Sequence, residues 1–80
     1  MRLPRDWSGA DLAKRLSALG YSTTRQTGSH IRLTTSRNGE HHVTIPAHDP
    51  LKIGTLNSIL RSVGEHHTMD RDQLLRLLGS

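Results

Sequence analysis

The chain has 80 residues and no cysteine, and its 11 Lys and Arg outnumber its 7 Asp and Glu to give a formal charge of +4. The absence of cysteine excludes disulfides, thiolate metal sites and cysteine nucleophiles, and no apolar run approaches the roughly 20 residues that cross a bilayer. From the length we expect one domain over residues 1–80. We expect it in the cytoplasm, because the first residues lack the apolar stretch of a secretory signal. The basic excess favours a polyanionic partner such as nucleic acid.

A helix is predicted between Ser8 and Gly20. Ser8 can cap its first turn, with Asp11 three residues later in a capping-box arrangement. Trp7, just before the cap, can pack on Leu12, and Gly20 can end the helix in a left-handed conformation. The apolar residues recur at the helical interval at Leu12, Leu16 and Leu19.

Three strands are predicted after this helix, and they form an antiparallel meander. Tyr21 to Thr27 is rich in threonine and has no helical period. Gly28-Ser29 is a turn signal before the strand His30 to Thr35. The third strand, His41 to Ile45, follows Asn38-Gly39, the strongest short-range hairpin signal.

Alternation along the second and third strands separates a core face from an exposed face. The side chains expected on the core face are Ile31, Leu33, His41, Val43 and Ile45. Those expected on the open face are His30, Arg32, Thr34, His42 and Thr44.

Two more helices complete the predicted fold. The second runs from Leu51 to Val63 and ends at Gly64, so that His66-His67 falls in a solvated loop. The last begins at Asp70, which can cap with Gln73. Its buried residues are expected to be Leu74, Leu75, Leu77 and Leu78. The order α-β-β-β-α with a short C-terminal helix predicts an α+β fold: a three-stranded antiparallel sheet with helices on one face and the other face open.

Gly28-Ser29-His30, here called the glycine–histidine corner, is the segment best suited to chemistry. Glycine allows a tight turn and lets a phosphate approach the backbone closely. His30 then opens the second strand, with Arg32 two residues further on the same face. Metal-free RNA cleavage needs a base for the ribose 2′-hydroxyl and cations for the phosphate, and imidazole titrates near neutrality.

Other residues are weaker candidates for the same chemistry. Arg32, Arg25 and Lys52 can serve a phosphate, and His48 is a secondary candidate. Six histidines compete for the catalytic role, so a surface histidine in a hairpin is the alternative for His30. Adjacent histidines on a strand point to opposite faces, and there is no His-x-x-x-His. We therefore expect no metal and no cofactor. Gly54-Thr55 can offer helix N–H groups to a phosphate, although a local cap is the simpler interpretation.

Four segments stand in a recognisable order and spacing over nearly the whole chain: Leu19–Tyr21, Arg25–His30, Val43–His48, and Leu51–Leu56 with Ile59-Leu60. Together they resemble the HicA-type toxins of bacterial and archaeal toxin–antitoxin systems.

The resemblance implies a double-stranded-RNA-binding-like fold and a metal-independent endoribonuclease that cleaves mRNA and inhibits translation. It implies that His30 is the catalytic residue and that Gly28 and Ser29 set its geometry. The implied partners are mRNA and a HicB-type antitoxin that covers the active face. Two alternatives remain: an RNA-binding module of the same fold that does no chemistry, and an adaptor whose basic face binds only an acidic protein.

Overall fold

The computed structural model describes residues 3–79. In chain order, one helix is followed by three consecutive strands and then by two more helices. The elements are α1 at Gly9–Leu16, continued by a 3-10 turn at Ser17–Leu19, β1 at Ser22–Gln26, β2 at His30–Thr35, β3 at His41–Pro46, α2 at Ile53–His67 and α3 at Arg71–Gly79. The predicted order and the α+β class are confirmed. No helix within residues 3–79 is long and apolar enough to cross a bilayer.

The sheet is antiparallel with the order β1-β2-β3, so that β2 is the central strand. His30 lies opposite Pro46 at one end of the β2–β3 pair, and Thr35 lies opposite His41 at the other. The predicted alternation is confirmed. The buried strand residues on the helix side include Ile31, Leu33, Val43 and Ile45, whereas His30, Arg32, His42 and Thr44 are exposed and Thr34 is half-buried on the other side. This second side is called the open face below.

The ends of α1 are built as its sequence predicts. Ser8 and Asp11 form both hydrogen bonds of a capping box, each 3.0 Å long, and Gly20 is left-handed at φ 82°. Gly9 lies so close to the end of β3 that a Cβ atom there would collide with the carbonyl oxygen of Pro46. The start of α1 is therefore fixed against the end of β3.

The prediction that Gly64 ends α2 is wrong. The helix continues to His67, and Thr68 closes it in a left-handed conformation at φ 55°. Gly64 is buried within the helix because the chain returns close to it: a Cβ atom at this position would lie 2.6 Å from the carbonyl oxygen of Met69. His66 and His67 are consequently half-buried in the last turn of α2 and do not lie in a solvated loop.

The start of α3 is confirmed, and one of its predicted core residues is not. Asp70 and Gln73 exchange two hydrogen bonds of 2.9 and 2.8 Å at the first turn. Leu77, however, is 42% exposed, because the packed side of the helix is formed by Leu74, Leu75 and Leu78.

Candidate nucleic-acid interface

The glycine–histidine corner is held by backbone hydrogen bonds on both sides. The N–H of Thr27 donates to the carbonyl of His30 at 2.9 Å, and the N–H of Ala47 donates to the carbonyl of Ser29 at 2.9 Å. His30 is thus the first residue of the central strand, exposed on the open face beside the end of β3. Its position follows from the hydrogen bonding of two neighbouring segments.

The imidazole of His30 has one polar partner within residues 3–79. Its Nδ1 lies 3.1 Å from Oγ of Ser29. When Nδ1 carries the proton, it donates a hydrogen bond to the Ser29 oxygen, and Nε2 then has a lone pair directed away from the serine. The contact gives the side chain a preferred ring orientation and leaves Nε2 without a partner within residues 3–79.

Gly28 is not required by the conformation of the turn. Its φ lies outside the left-handed region, and a Cβ atom built on it would meet no atom within 4 Å. The turn lies where Gly28-Ser29 predicts it, but it does not use the conformational freedom of a glycine. The remaining physical use of the missing Cβ is access, since another molecule can approach this backbone without meeting a side chain.

A bulge in β1 places Arg25 on the open face. Thr23 lies opposite Leu33, but Arg25 lies opposite Arg32, so that Thr24 is the extra residue. In a regular strand Arg25 would share the helix side with Thr23, because side chains alternate. The bulge instead sets the guanidinium groups of Arg25 and Arg32 on directly opposed positions of the open face.

The two opposed arginines have no counter-ion on the sheet. No ion pair or side-chain hydrogen bond joins either guanidinium to another residue within 3–79, and both residues are exposed. Like charges directly opposite each other on a sheet are destabilising. An anion between them would remove this repulsion and would receive charge-assisted hydrogen bonds from both.

A chain of hydrogen bonds occupies the other end of the open face. The carboxylate of Glu40 lies 2.8 Å from Nε2 of His42, so this nitrogen donates to it. Nδ1 of His42 lies 2.7 Å from Thr34 Oγ1, and Thr34 Oγ1 lies 3.1 Å from Oγ1 of Thr24. Both ring nitrogens of His42 therefore have a polar partner, whereas only one ring nitrogen of His30 has a partner within residues 3–79.

Lys52 and His48 lie on the segment that connects β3 to α2. Both are exposed. Lys52 is the residue that precedes the first turn of α2 and makes no side-chain cap there, while the backbone carbonyl of His48 accepts from the N–H of Gly9 at 2.9 Å. The segment leaves the sheet at Pro46, opposite His30, but no hydrogen bond within residues 3–79 joins either side chain to His30.

A second group of histidines was missed as a group by the sequence analysis. His41 and His67 contact the buried Tyr21 on the helix side of the sheet, and His66 packs against both of these histidines. The alternation predicted that His41 faces the core, and this was a usable signal. Because α2 was predicted to end at Gly64, His66 and His67 were expected in a loop and were not expected to contact His41. Within residues 3–79, no three side chains of metal-ligand type are arranged to hold a metal ion.

The fold and the open face define a small basic α+β domain that presents an imidazole and two guanidinium groups on one side of its sheet. Residues 9–65 match the family model described as the HicA toxin of bacterial toxin–antitoxin. Because the match covers more than half of the chain, the protein belongs to the HicA toxin family and is the toxin component of a toxin–antitoxin system, with an antitoxin as its partner. No curated protein and no solved structure matches the chain.

Proposed function

We propose that this toxin is a metal-independent endoribonuclease that cleaves mRNA and thereby inhibits translation, with His30 as general acid and base. The observation that carries the proposal is the exposed imidazole of His30, held at Nδ1 by Ser29, at the corner of an open cationic sheet. The match to the HicA toxin family spans this corner. The protein acts as one domain over residues 1–80 and in the cytoplasm, where mRNA is found.

The reaction requires one bond to form and one to break. His30 Nε2 removes the proton from a ribose 2′-hydroxyl, and the 2′-oxygen attacks the adjacent phosphorus. The bond from phosphorus to the 5′-oxygen breaks, and the protonated imidazole supplies a proton to that leaving oxygen. The products are a 2′,3′-cyclic phosphate and a 5′-hydroxyl, and the histidine returns to its neutral form.

The cations of the open face stabilise the charge that gathers on the phosphate. Arg32 lies two residues from His30 on the same strand and the same face, about 6–7 Å along β2. Arg25 reaches the same region because of the β1 bulge. Lys52 and His48 serve neighbouring phosphates from the segment that follows β3, and Gly28 leaves the backbone accessible to the RNA strand.

The antitoxin inhibits by covering this same surface. A HicB-type partner with acidic groups would pair with Arg25 and Arg32 and block access to His30. RNA and antitoxin then compete for one face, and neither a metal nor a cofactor takes part in the reaction.

The test is cleavage of labelled RNA by pure protein in EDTA, comparing the wild type with His30→Ala and His42→Ala. Removing a general acid–base lowers cleavage by at least about 100-fold, and the His30 side chain is exposed with one hydrogen bond, so the melting temperature of His30→Ala stays close to that of the wild type. His42→Ala removes a histidine of the same face and keeps most of the activity. Wild-type cleavage by His30→Ala would refute the assigned role.

A non-catalytic RNA-binding module is the second candidate, and the opposed pair Arg25 and Arg32 favours it, because such a pair binds phosphate without any chemistry. In the same experiment this function would leave the RNA intact while producing a mobility shift that weakens with salt.

A further inference from the structure

Four aromatic side chains contact one another on the helix side of the sheet and are called here the histidine–tyrosine cluster: Tyr21, His41, His66 and His67. The phenol oxygen of Tyr21 lies 2.7 Å from Nδ1 of His41 and 3.1 Å from Nε2 of His67. The rings of His41 and His66 are stacked, with centroids 4.4 Å apart and an interplanar angle of 10°. The proposed RNA chemistry on the open face uses none of these groups.

The cluster connects the β2–β3 hairpin to the last turn of α2. Nε2 of His66 lies 3.0 Å from the carbonyl oxygens of both Arg37 and Gly39, and it must donate to them because carbonyls only accept. On the sheet side, Nε2 of His41 lies 3.2 Å from Oγ of Ser62 in α2. Most of the polar contacts between the hairpin and the end of α2 therefore pass through imidazole nitrogens.

The hydrogen bonds of the Tyr21 oxygen are complete while at least one of His41 and His67 is neutral. Tyr21 has one hydroxyl proton, so its oxygen donates to one of the two imidazole nitrogens and accepts from the other. If both imidazoles are protonated, two N–H groups point at the phenol oxygen and its own proton has no acceptor among them. Tyr21 is only 3% exposed, so water cannot easily replace the lost partner.

The charges that face the cluster also oppose protonation. Burial lowers the pKa of His41, followed by the nearby charges of His66 and His42. Burial likewise lowers the pKa of His67, followed by His66, His41 and the guanidinium of Arg37 in the hairpin. Glu40, the carboxylate of the hairpin, pairs with His42 on the open face and not with the cluster.

We propose that the histidine–tyrosine cluster is an acid-sensitive clamp between the β2–β3 hairpin and the end of α2. It is closed while His41 and His67 are neutral, and it opens when both imidazoles are protonated. The clamp depends on contacts within the fold and holds whether or not the open face cleaves RNA.

The sign of the effect follows from proton binding. His41 and His67 have pKa values below the ordinary value of about 6.5 in the folded protein. Below this pH the unfolded chain binds more protons at these positions, so stability is fully present above it and is lost as the pH falls through the folded pKa values. Two such groups raise the unfolding equilibrium constant by up to about 100-fold per pH unit within the window.

The experiment is urea unfolding of the full chain at about pH 7.5 and about pH 5, comparing the wild type with His41→Gln/His67→Gln. Glutamine retains hydrogen-bonding groups but does not titrate. A His30→Gln/His48→Gln variant is the control, because it also removes two histidines, both exposed and outside the cluster. Carboxylates titrate in all three proteins and cancel in the comparison.

Between these two pH values, the unfolding constant of the wild type should rise at least about 10-fold more than that of the cluster variant. The control variant should behave as the wild type does. An equal rise in the wild type and the cluster variant would overturn the proposal.

An NMR titration of the wild-type histidine rings tests the proposal even if the cluster variant does not fold. His41 and His67 should titrate below the ordinary value of about 6.5, and the amides of Arg37 to Glu40 should lose exchange protection over the same range. Titration of both rings at or above the ordinary value, or hairpin protection that does not change with their protonation, would overturn the clamp.

Discussion

Ser29 controls the residue on which the proposed reaction depends. Its hydroxyl is the partner of His30 Nδ1 at 3.1 Å, and it lies on a backbone fixed by the N–H of Ala47. The serine does not contact the reacting atoms in the proposed mechanism. It acts by holding the imidazole in an orientation that leaves Nε2 exposed and without a partner within residues 3–79.

Ser29→Ala should therefore lower RNA cleavage without removing it. One hydrogen bond contributes about 0.5–1.5 kcal/mol, so kcat should fall about 2- to 10-fold. Ser29→Thr keeps the hydroxyl and should recover most of the loss. The pH–rate profile is the diagnostic measurement: if Ser29→Ala has wild-type kcat and an unchanged profile, the serine does not position the histidine.

A side chain added at Gly28 should affect RNA binding without affecting the stability of the fold. Because a Cβ atom there meets no protein atom, Gly28→Ala should change the free energy of unfolding by no more than about 0.5 kcal/mol. If RNA approaches this backbone, Gly28→Ala should lower kcat/KM, and Gly28→Val should lower it further. Unchanged cleavage in both variants would show that the RNA passes elsewhere.

At the scale of elements, glycines decide how α1 and α2 meet their neighbours. Gly9 lets α1 pack against the carbonyl of Pro46. Gly64 lets α2 pack against the carbonyl of Met69, whose oxygen would lie only 2.6 Å from a Cβ atom at position 64. Both close approaches are to backbone atoms, which cannot move away as a flexible side chain does. The first contact fixes the start of α1 against the end of β3, and the second fixes α2 against the chain that leads into α3.

Gly64→Ala should destabilise the protein by about 1–3 kcal/mol, because the added methyl overpacks the junction of α2 and α3. Gly54→Ala is the matched control in the same helix. Its Cβ meets nothing within 4 Å, so it should be neutral or stabilising by up to about 1 kcal/mol. Thermal or urea unfolding measures both, and equal stabilities for the two variants would contradict the close approach at Gly64.

The bulge at Thr24 is the element-scale feature that completes the cationic surface. The alternation along β2 and β3 predicts five residues on the open face, and it assigns no face to Arg25, which lies in β1. The register change between Thr23 and Arg25 brings this arginine opposite Arg32. Arg25 was a candidate phosphate ligand from its charge and position, but only the pairing of β1 with β2 explains how it reaches the same surface as His30.

At the scale of the whole molecule, the formal charge of +4 matters through its distribution. Two arginines without ion-pair partners lie on the open face, whereas the helices cover the other side of the sheet. A charged single strand bound there displaces counter-ions, and its affinity falls with salt. An antitoxin on the same face would compete with RNA in a salt-dependent way.

The double variant Arg25→Ala/Arg32→Ala should weaken RNA binding. It should also reduce the slope of log affinity against log salt concentration by about 1.4, because each lost phosphate contact on a single strand contributes about 0.7. The inactive His30→Ala background keeps the RNA intact during the titration. Arg61→Ala/Lys14→Ala removes the same charge from the helices. If it reduces the slope equally, net charge and not the opposed pair drives binding.

Much of the fold could be predicted because its signals are local. The capping pairs Ser8 with Asp11 and Asp70 with Gln73, the hairpin at Asn38-Gly39, and the alternation along β2 and β3 each depend on a few consecutive residues. Element order and the α+β class follow from them. The prominence of His30 likewise came from a short motif and the resemblance built around it.

The order of elements, the two faces of the sheet and the candidate histidine therefore follow from local sequence signals. Three other features follow from the packed fold: the bulge at Thr24, the continuation of α2 through Gly64, and the grouping of Tyr21 with three histidines. Each of these depends on contacts between segments far apart in the chain: β1 with β2, α2 with the chain at Met69, and the hairpin with the end of α2. Local propensity carries no information about such contacts, because their energies arise only when the segments pack together.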